Sequence, residues 1–301
     1  MVEPGPAEAD VILVQRSLRD LRWRGTCRVV NKLSAGASSS HVFLLDLGHE
    51  RAVLKVTEDP DWLRRADREF AVYDQLAEPL GQTLPRVLAA QRDLRAVSLL
   101  LRGHRPFPSA RQLNQATWMA VADQLGRVHG IQVPAGAWLQ SRPWPSAEII
   151  AAAVQAWNDR GFAVPAARAA KQLSKSKDLQ PFTSPVLTHG DCHIGNLLLG
   201  PNGRVMWIDW QEVCLSNGLD DLVLLWQRAE FDGANPPRTA MLAAYAAARR
   251  LPVDDAFLSA IKASELRLLL LAWPHFLDYG KQERQELMTQ RLVQLSSGND
   301  T

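Results

Sequence analysis

The sequence contains few cysteines and no long hydrophobic run, and both features limit the cellular compartments in which the protein can function. Its three cysteines, Cys27, Cys192 and Cys214, lie far apart among 301 residues, which excludes a disulfide framework and is typical of a reducing compartment. The longest apolar stretch, 266–277, contains an arginine and a histidine and is too short to span a bilayer. The first residues lack the basic and apolar segments of a secretory signal. We therefore expect a cytoplasmic protein without a membrane partner.

The chain also lacks a strong charge of either sign. Its 34 basic and 32 acidic residues give a formal net charge of +2, so the total charge does not imply a polyanionic partner. The lysine-rich segment 171–177 contains no aromatic residue, and we expect a solvated turn there rather than a nucleic-acid site. With 47% hydrophobic and 22% charged residues, the composition is that of a globular protein with two domains or one large one.

Four common enzyme signatures are missing. The sequence has no GxxxxGK(S/T) loop, no GxGxxG after a first strand, no GxSxG elbow and no HExxH pair. These absences exclude P-loop NTPases, Rossmann dehydrogenases, serine hydrolases of the α/β type and zinc proteases of the HExxH class. Cys192, His193 and Cys214 also lack the paired spacing that structural zinc sites show.

Hydrophobic periodicity divides the chain into a first part with strands and a second part dominated by helices. Three successive strands with short turns between them predict an antiparallel meander. In the first part we expect strands at 26–33, 41–47, 51–56 and 97–101, and helices at 11–22 and 62–78. The segment 103–108, rich in glycine and proline, breaks the pattern and is the predicted linker. Beyond it we expect helices at 111–130, 146–159, 164–174, 219–230, 238–250, 254–272 and 281–296, with loop and strand at 186–212.

The most informative polar residues are Asp191, Asn196 and Asp209. An aspartate and an asparagine lie five residues apart, and a second aspartate follows thirteen residues later, after an apolar strand. Hard oxygen ligands of this kind suit Mg²⁺, which needs only one or two carboxylates when phosphate oxygens complete its coordination. Phosphoryl transfer requires positioning and charge neutralisation more than covalent chemistry from the protein. The three residues therefore indicate transfer of a phosphoryl group.

The segment HGDCHIGN at 189–196, followed by IDW at 208–210, resembles the catalytic loop of the aminoglycoside phosphotransferase family. That family has a kinase-like fold and carries HGD followed by four residues and asparagine. Lys55 in AVLKV and Glu69 on the next helix match the family's strand lysine and its ion-pair partner. The resemblance implies an α+β fold with two lobes: a small antiparallel-sheet N-lobe at 1–102 and a larger, mainly helical C-lobe at 103–301.

The same resemblance assigns roles to the polar residues. Asp191 would orient the hydroxyl of the acceptor and receive its proton late, because an aspartate with a pKa near ~4 is a poor base for an alcohol. Asn196 and Asp209 would bind Mg²⁺. Lys55, held by Glu69, would grip the phosphates of ATP or GTP.

Further residues would support the catalytic loop or contact the nucleotide. By the resemblance, His189 holds the loop by hydrogen bonding and Asp221 buttresses it, while His129, at the end of an apolar helix, is expected to be a packed or capping histidine. The loop over the phosphates would use Gly36, Ser38, Ser39 and Ser40, and the adenine would lie against the backbone near Leu101. The loop departs from the family pattern by having a single glycine.

The acceptor is expected to be a small molecule with a hydroxyl group. Residues 190–301 hold 14 acidic and 10 basic residues, which favours a cationic acceptor only slightly once the active-site aspartates are set aside. The candidate acceptor contacts are Glu212, Glu230, Asp232 and Asp278. An antibiotic phosphotransferase that confers resistance is the leading hypothesis, and a metabolic kinase for choline, homoserine or a sugar is the alternative. A non-catalytic nucleotide-binding protein of kinase-like fold is a hypothesis of another class, disfavoured because Lys55, Asp191 and Asp209 are all present.

Overall fold

Contacts within the chain divide it into two compact units, each described here by itself. The computed structural model describes residues 7–33, 39–133, 138–175, 184–278 and 282–297. The first unit holds the described residues up to Phe107 together with Asn196–Val213, and the second holds Pro108–Gly195 and the residues from Cys214 onward. The first unit thus takes in a segment that lies, in the sequence, within the expected C-lobe. The lobe boundary between 102 and 103 stays a prediction.

A five-stranded antiparallel sheet forms the centre of the first unit. Its strand order is β1-β2-β3-β5-β4, so the first three strands make the predicted meander and β5 returns to pair with β3. The strands are β1 (Arg28–Leu33), β2 (His41–Asp46), β3 (Arg51–Thr57), β4 (Val87–Arg92) and β5 (Val97–Arg102). The order places β3 in the middle of the sheet, between β2 and β5.

Helix α1 (Glu8–Asp20) belongs to the hydrophobic core of this sheet. Its apolar residues recur at helical spacing, and Val14 and Leu18 join a buried cluster with Phe43 and Leu45 of β2. Phe43 and Leu45 lie two residues apart, so both side chains leave the same face of the strand. The alternation of side chains along β2 therefore determines which face of the sheet α1 covers.

Helix α2 (Pro60–Gln75) follows β3 and carries a buried face of mixed chemistry. Asp59 caps its N-terminus by accepting a hydrogen bond from the Asp61 N–H, and Pro60 occupies the first turn, which is a favoured start for a helix. Residues 66, 69 and 73 are buried and repeat every three or four positions, so they share one helix face. Glu69 is thereby held inside the unit.

A second, three-stranded sheet of order β6-β8-β9 completes the first unit. Its strands are β6 (Arg105–Pro106), β8 (Leu197–Leu199) and β9 (Val205–Trp207); β7 (Val186–Thr188) belongs to the second unit. Leu197 pairs with Trp207 at one end of the β8–β9 hairpin. The residues that flank this pair, Asn196 and Ile208, are bonded by a 3.0 Å backbone hydrogen bond, so both chain ends leave the hairpin together.

The second unit is mainly helical. Strand β7 pairs antiparallel with β10 (Cys214–Ser216). The core of its helices is built on large apolar side chains such as Trp157, Trp273 and Met288. The helices are α4 (Gln115–His129), α5 (Ala147–Asn158), α6 (Ala163–Lys175), α7 (Leu219–Phe231), α8 (Arg238–Arg249), α9 (Asp255–Leu271), α10 (Trp273–Leu277) and α11 (Gln282–Ser296); α3 (Ala77–Leu80) is a single turn in the first unit.

The α+β kinase-like fold expected from the sequence is confirmed. The elements that were not expected are β4, whose LAAQR segment offers little apolar alternation, the short strands β6 and β10, and the short helices α3 and α10. In the part of the chain that the structure describes, no helix has both the length and the apolar character needed to cross a membrane.

Candidate active site

The centre of the first unit is an ion cluster around Lys55. Its ammonium group donates hydrogen bonds to Glu69 Oε2 at 2.6 Å and to Asp209 Oδ1 at 2.7 Å. The Lys55 side chain is 13% exposed and that of Glu69 only 3%, whereas the Asp209 carboxylate is 34% exposed. One carboxylate is therefore buried behind the lysine, and the other is open to a ligand.

Two carboxylates keep the buried lysine charged. Burial acts to lower the pKa of Lys55, but the charges of Glu69 and Asp209 and the hydrogen bonds to them outweigh it, and the pKa is raised. Burial and the nearby Asp209 raise the pKa of Glu69, and the charge of Lys55 opposes that rise. The Lys55 ammonium group thus has one buried counter-ion, Glu69, and one exposed counter-ion, Asp209.

Asp209 owes its position to an unusual backbone conformation. It has φ 64° and ψ 56°, in the left-handed region, which aspartate tolerates better than most residues. A short 3-10 turn, Trp210–Glu212, follows it, and the buried Trp210 fixes that turn by donating from Nε1 to the Trp207 carbonyl at 3.1 Å. Asn196 lies at the same end of the β8–β9 hairpin and is buried.

Of the four residues expected in the loop over the phosphates, the structure describes two, Ser39 and Ser40. Gly36 and Ser38 lie outside the described residues, and Ser39 is exposed. Ser40 is buried, its hydroxyl lies 2.7 Å from that of Thr57, and Gln211 Nε2 donates to it at 3.4 Å. The Ser40 hydroxyl therefore joins β3 to the segment after Asp209.

Leu101 lies in β5, which has neighbours on both sides. It pairs with Val53 on one strand and Val87 on the other. The N–H groups that follow are also used, since Arg102 donates to the Arg86 carbonyl and Gly103 to the Arg51 carbonyl, each at 2.8 Å. The next residue, His104, has a buried Nε2 atom without a hydrogen-bond partner among the described residues.

Asp191 belongs to the second unit, in the loop that follows β7. Its side chain is 39% exposed and lies 3.5 Å from His193 Nε2, and His189 Nδ1 accepts its backbone N–H at 3.3 Å. Burial acts to raise the pKa of Asp191, but the hydrogen bond and charge of His193 and the charges of His189 and Arg228 lower it to about 2. The carboxylate is therefore ionised at all physiological pH values.

His193 is a site residue that sequence reasoning missed. Its Nδ1 lies 3.1 Å from the Gly195 backbone nitrogen, and its Nε2 faces the Asp191 carboxylate. The residue stands among the four unspecified positions of the HGDxxxxN motif, where the pattern carries no signal. The neighbouring Cys192 is fully buried, and burial, followed by the charges of Asp221 and Asp191, raises the pKa of its thiol well above the ordinary value.

A chain of hydrogen bonds supports the loop from behind. Asp221, on the first turn of α7, accepts the N–H groups of His189 at 2.6 Å and Gly190 at 2.9 Å. His129 Nε2 lies 3.1 Å from the same carboxylate, and its Nδ1 lies 2.8 Å from the Tyr245 hydroxyl. Burial lowers the pKa of His129, so the neutral ring donates to Asp221 and accepts from Tyr245.

These hydrogen bonds behind the loop were only partly predicted from the sequence. The support given by Asp221 was expected, and His129 is buried as expected, but nothing in the spacing connected it to Tyr245 on α8. Gly218, with φ +82°, completes the arrangement, because a Cβ atom there would lie 2.6 Å from His129 Nδ1 and 2.8 Å from the Tyr245 hydroxyl.

Each of the four candidate acceptor contacts lies beside an arginine. Glu212 is in the first unit and pairs with Arg65 of α2 at 3.0 Å. In the second unit, the other three carboxylates each have an arginine partner: Glu230 accepts from Arg238, Asp278 accepts from Arg160 at 2.6 Å, and Asp232 lies 3.6 Å from Arg284.

Comparison with known proteins gives a family match over most of the chain. The profile of the family described as "Phosphotransferase enzyme family" matches residues 29–257, which include all the polar residues named for the first unit and the catalytic loop. No curated protein sequence matches the chain significantly.

Several solved structures share the fold. A thermostable mutant of aminoglycoside phosphotransferase APH(4)-Ia, in ternary complex with ADP and hygromycin B, has a TM-score of 0.66 and 17% identity, with 98% of this chain and 100% of that chain covered. Spectinomycin phosphotransferase APH(9)-Ia, in complex with ADP and spectinomycin, has a TM-score of 0.62 and 14% identity, with 95% and 94% covered. A candidate fructosamine-3-kinase from Haemophilus somnus 129PT has a TM-score of 0.58 and 17% identity, with 94% and 96% covered. At these identities the likeness shows the fold.

Proposed function

The chain belongs to the phosphotransferase enzyme family, and from this premise we propose that it transfers the γ-phosphate of ATP or GTP to a hydroxyl group of a small molecule. The observation that carries the proposal is the Lys55 cluster, in which a buried ammonium group has the half-exposed Asp209 carboxylate within 2.7 Å. The cluster of Lys55, Glu69 and Asp209 carries a net negative charge, which Mg²⁺ at Asp209 would offset, and Lys55 would then bind the phosphates of the nucleotide. The free cysteines favour a cytoplasmic location.

The donor atoms of the first unit fit a nucleotide with Mg²⁺. Asp209 contributes a carboxylate and Asn196 an amide oxygen, both hard ligands, and both residues leave the same end of one hairpin. His104 Nε2, a buried polar atom without a described partner, follows Leu101 and Gly103 in the segment where the base is expected. Mg²⁺, when bound, neutralises charge on the transferring phosphoryl group. Asn196 and Asp209 would hold it, and Lys55 would bind the phosphates.

Asp191 would orient the acceptor hydroxyl. The oxygen of that hydroxyl forms a bond to the γ-phosphorus as the bond from phosphorus to the β–γ bridging oxygen breaks, and the nucleoside diphosphate leaves. With a pKa of about 2, Asp191 is too weak a base to remove the alcohol proton early. It accepts the proton late, when the oxygen already carries the phosphoryl group.

The leading acceptor class is an antibiotic, because the structural neighbours include phosphotransferases solved with hygromycin B and with spectinomycin. A metabolic alcohol is the second candidate, favoured by the neighbour described as a fructosamine-3-kinase. A non-catalytic nucleotide-binding role is disfavoured, since Lys55, Glu69 and Asp209 form an intact cluster.

The proposal is tested by measuring ADP release with Mg²⁺ and ATP against a panel of antibiotics and metabolic alcohols. Asp191→Ala should abolish acceptor-dependent release while nucleotide affinity, measured by calorimetry, stays within about twofold of wild type. Asp123→Ala, on an exposed ion pair of α4, is the matched control and should behave as wild type. Acceptor-dependent turnover that survives Asp191→Ala would exclude the assigned role.

A further inference from the structure

Arg228 lies on α7, and its positive charge acts on Asp191 in the catalytic loop. It lies seven residues, two helical turns, after Asp221, so both residues share a helix face. Asp221 holds the loop through its hydrogen bonds to His189 and Gly190. Because side chains on a helix tilt toward its N-terminus, the long Arg228 side chain reaches back along this face toward the loop.

The guanidinium group of Arg228 rests on an aromatic ring instead of a carboxylate. It lies 4.8 Å from the ring centroid of Phe276 in α10, and both residues are half-buried. Over the described residues, no carboxylate forms an ion pair with it within 4.0 Å. Stacking on a ring holds an arginine in place without neutralising it.

The carboxylates that lie close to Arg228 and Phe276 in the sequence pair with other arginines. Arg238 binds Glu230, the residue two positions further along α7, and Arg160 binds Asp278, two positions after Phe276. Further out, Glu265 accepts from both Arg238 and Arg291. Arg228 also acts on Asp191: burial opposes ionisation of that carboxyl, and the hydrogen bond and charge of His193, followed by the charges of His189 and Arg228, lower its pKa.

This pairing of the acidic residues favours an acceptor that is not cationic. The four candidate acidic contacts each have an arginine partner, whereas Arg228 forms no ion pair within 4.0 Å with a described carboxylate. A half-buried guanidinium that forms no ion pair within 4.0 Å among the described residues can bind an oxyanion through two parallel hydrogen bonds. The histidines of the loop, His189 and His193, add no negative charge.

We propose that Arg228 is a specificity residue and that the acceptor is an alcohol carrying a carboxylate or phosphate group, whose oxygens bind its guanidinium. The inference rests on the proposed phosphotransferase function and names the substrate class of that site. It predicts that hydroxy acids or phosphorylated alcohols are preferred over aminoglycosides and amino alcohols.

The experiment uses matched sets of acceptors that share one skeleton and differ in charge. Glucuronate, glucose 6-phosphate, glucose and glucosamine form one set; 4-hydroxybutyrate, 1,4-butanediol and 4-amino-1-butanol form another; each is added to the full chain with Mg²⁺ and ATP, beside an aminoglycoside panel. The oxyanion member of the set that is turned over should have the highest kcat/KM, by at least about fivefold over the neutral member. The carboxylate and phosphate members identify which source the arginine binds.

Variants then test the residue itself. Arg228→Gln should raise KM for the oxyanion acceptor by about fivefold or more, with kcat and KM for the neutral member nearly unchanged. Arg228→Lys should retain part of the preference. Arg168→Gln, the same change at an exposed position of α6, is the control and should leave the preference intact.

The outcomes separate this inference from the function it rests on. Turnover that favours neutral or cationic acceptors, or an oxyanion preference that survives Arg228→Gln, overturns the inference and leaves the phosphotransferase proposal standing. A protein that binds nucleotide but turns over no acceptor in any set contradicts both. A merely structural role for Arg228 would change KM equally for all members of a set.

Discussion

At the scale of single residues, Lys55 shows how much a buried charge depends on its partners. Its ammonium group has two carboxylates at hydrogen-bond distance, and all three groups lie in one unit. Removing the cation would leave a buried Glu69 without its counter-ion and next to a second negative charge. Losses of this kind are among the most costly that a single substitution causes.

Lys55→Met should therefore lower the free energy of unfolding by about 3 kcal/mol and abolish nucleotide binding. The matched control is Lys32→Met in β1, because Lys32 makes an ion pair of the same 2.7 Å length with Asp10 but is 43% exposed. That change should cost less than about 1 kcal/mol. Chemical denaturation and calorimetry measure both effects. Equal losses for the two variants would show that burial of the pair is unimportant.

Asp191 supports a prediction about pH. With a pKa of about 2, below that of an aspartate in an unfolded chain, the carboxylate contributes stability above pH ~4, and this contribution is lost as the pH falls toward 2. A carbon-13 NMR titration of the carboxyl carbon should give a midpoint near 2. We also expect no acid limb of kcat/KM from this residue between about pH 5 and 9. A midpoint in the ordinary aspartate range would refute the arrangement with His193.

At the scale of secondary-structure elements, α4 and α8 approach each other unusually closely at Gly126. A Cβ atom there would lie 2.7 Å from the Ala248 Cβ and 2.9 Å from the Tyr245 carbonyl oxygen. The backbone of α4 thus packs directly against α8. These two helices supply His129 and Tyr245 to the hydrogen-bond chain behind the catalytic loop.

Gly126→Ala should separate the two helices and destabilise the protein by about 1–3 kcal/mol, even though alanine favours helix formation. Adding Ala248→Gly should restore part of the loss, since it removes the shorter of the two contacts. Thermal unfolding of the single and double variants measures the coupling. A stabilising effect of Gly126→Ala alone would show that the helices can move apart without cost.

Elements were predicted better than the contacts between them. The strands of the meander and the long helices follow from periodicity, and Asn114, Ser146 and Asp254 cap helices near the expected starts. β4 was not predicted because its small residues show no alternation of apolar and polar positions. The sequence of β5 does not indicate which strand pairs with it at the edge of the sheet. The ion pair of Lys55 with Glu69 was expected only through the family resemblance, and the hydrogen bond from Lys55 to Asp209 was not predicted. The Phe276 ring beside Arg228 had no local signal in the sequence.

At the scale of the whole molecule, ligand binding should be visible as added stability. A ligand that binds only the folded state contributes about 2.7 kcal/mol at a hundredfold excess over its Kd. Saturating ATP with Mg²⁺ should therefore raise Tm by several degrees, and EDTA should remove most of that rise.

Asp209→Ala should retain the fold but lose the Mg²⁺-dependent part of this shift, since it removes the exposed carboxylate of the Lys55 cluster. Asp67→Ala, which breaks a surface pair with Arg92 in the same unit, should keep the full shift. Differential scanning fluorimetry with and without EDTA makes the comparison. A metal-dependent shift that persists in Asp209→Ala would remove this residue from the ligand set.

The buried Cys192, next to Asp191, can be used to measure how often the catalytic loop opens. Cys192 is shielded from solvent, and its thiol resists ionisation, so an alkylating reagent can attack it only during a transient excursion of the backbone around it. Cys27, half-buried in the first unit, supplies an internal reference for reagent access. The ratio of the alkylation rates of Cys192 and Cys27, followed by mass spectrometry, would measure how often the backbone around Cys192 opens in the native protein. No introduced label is needed.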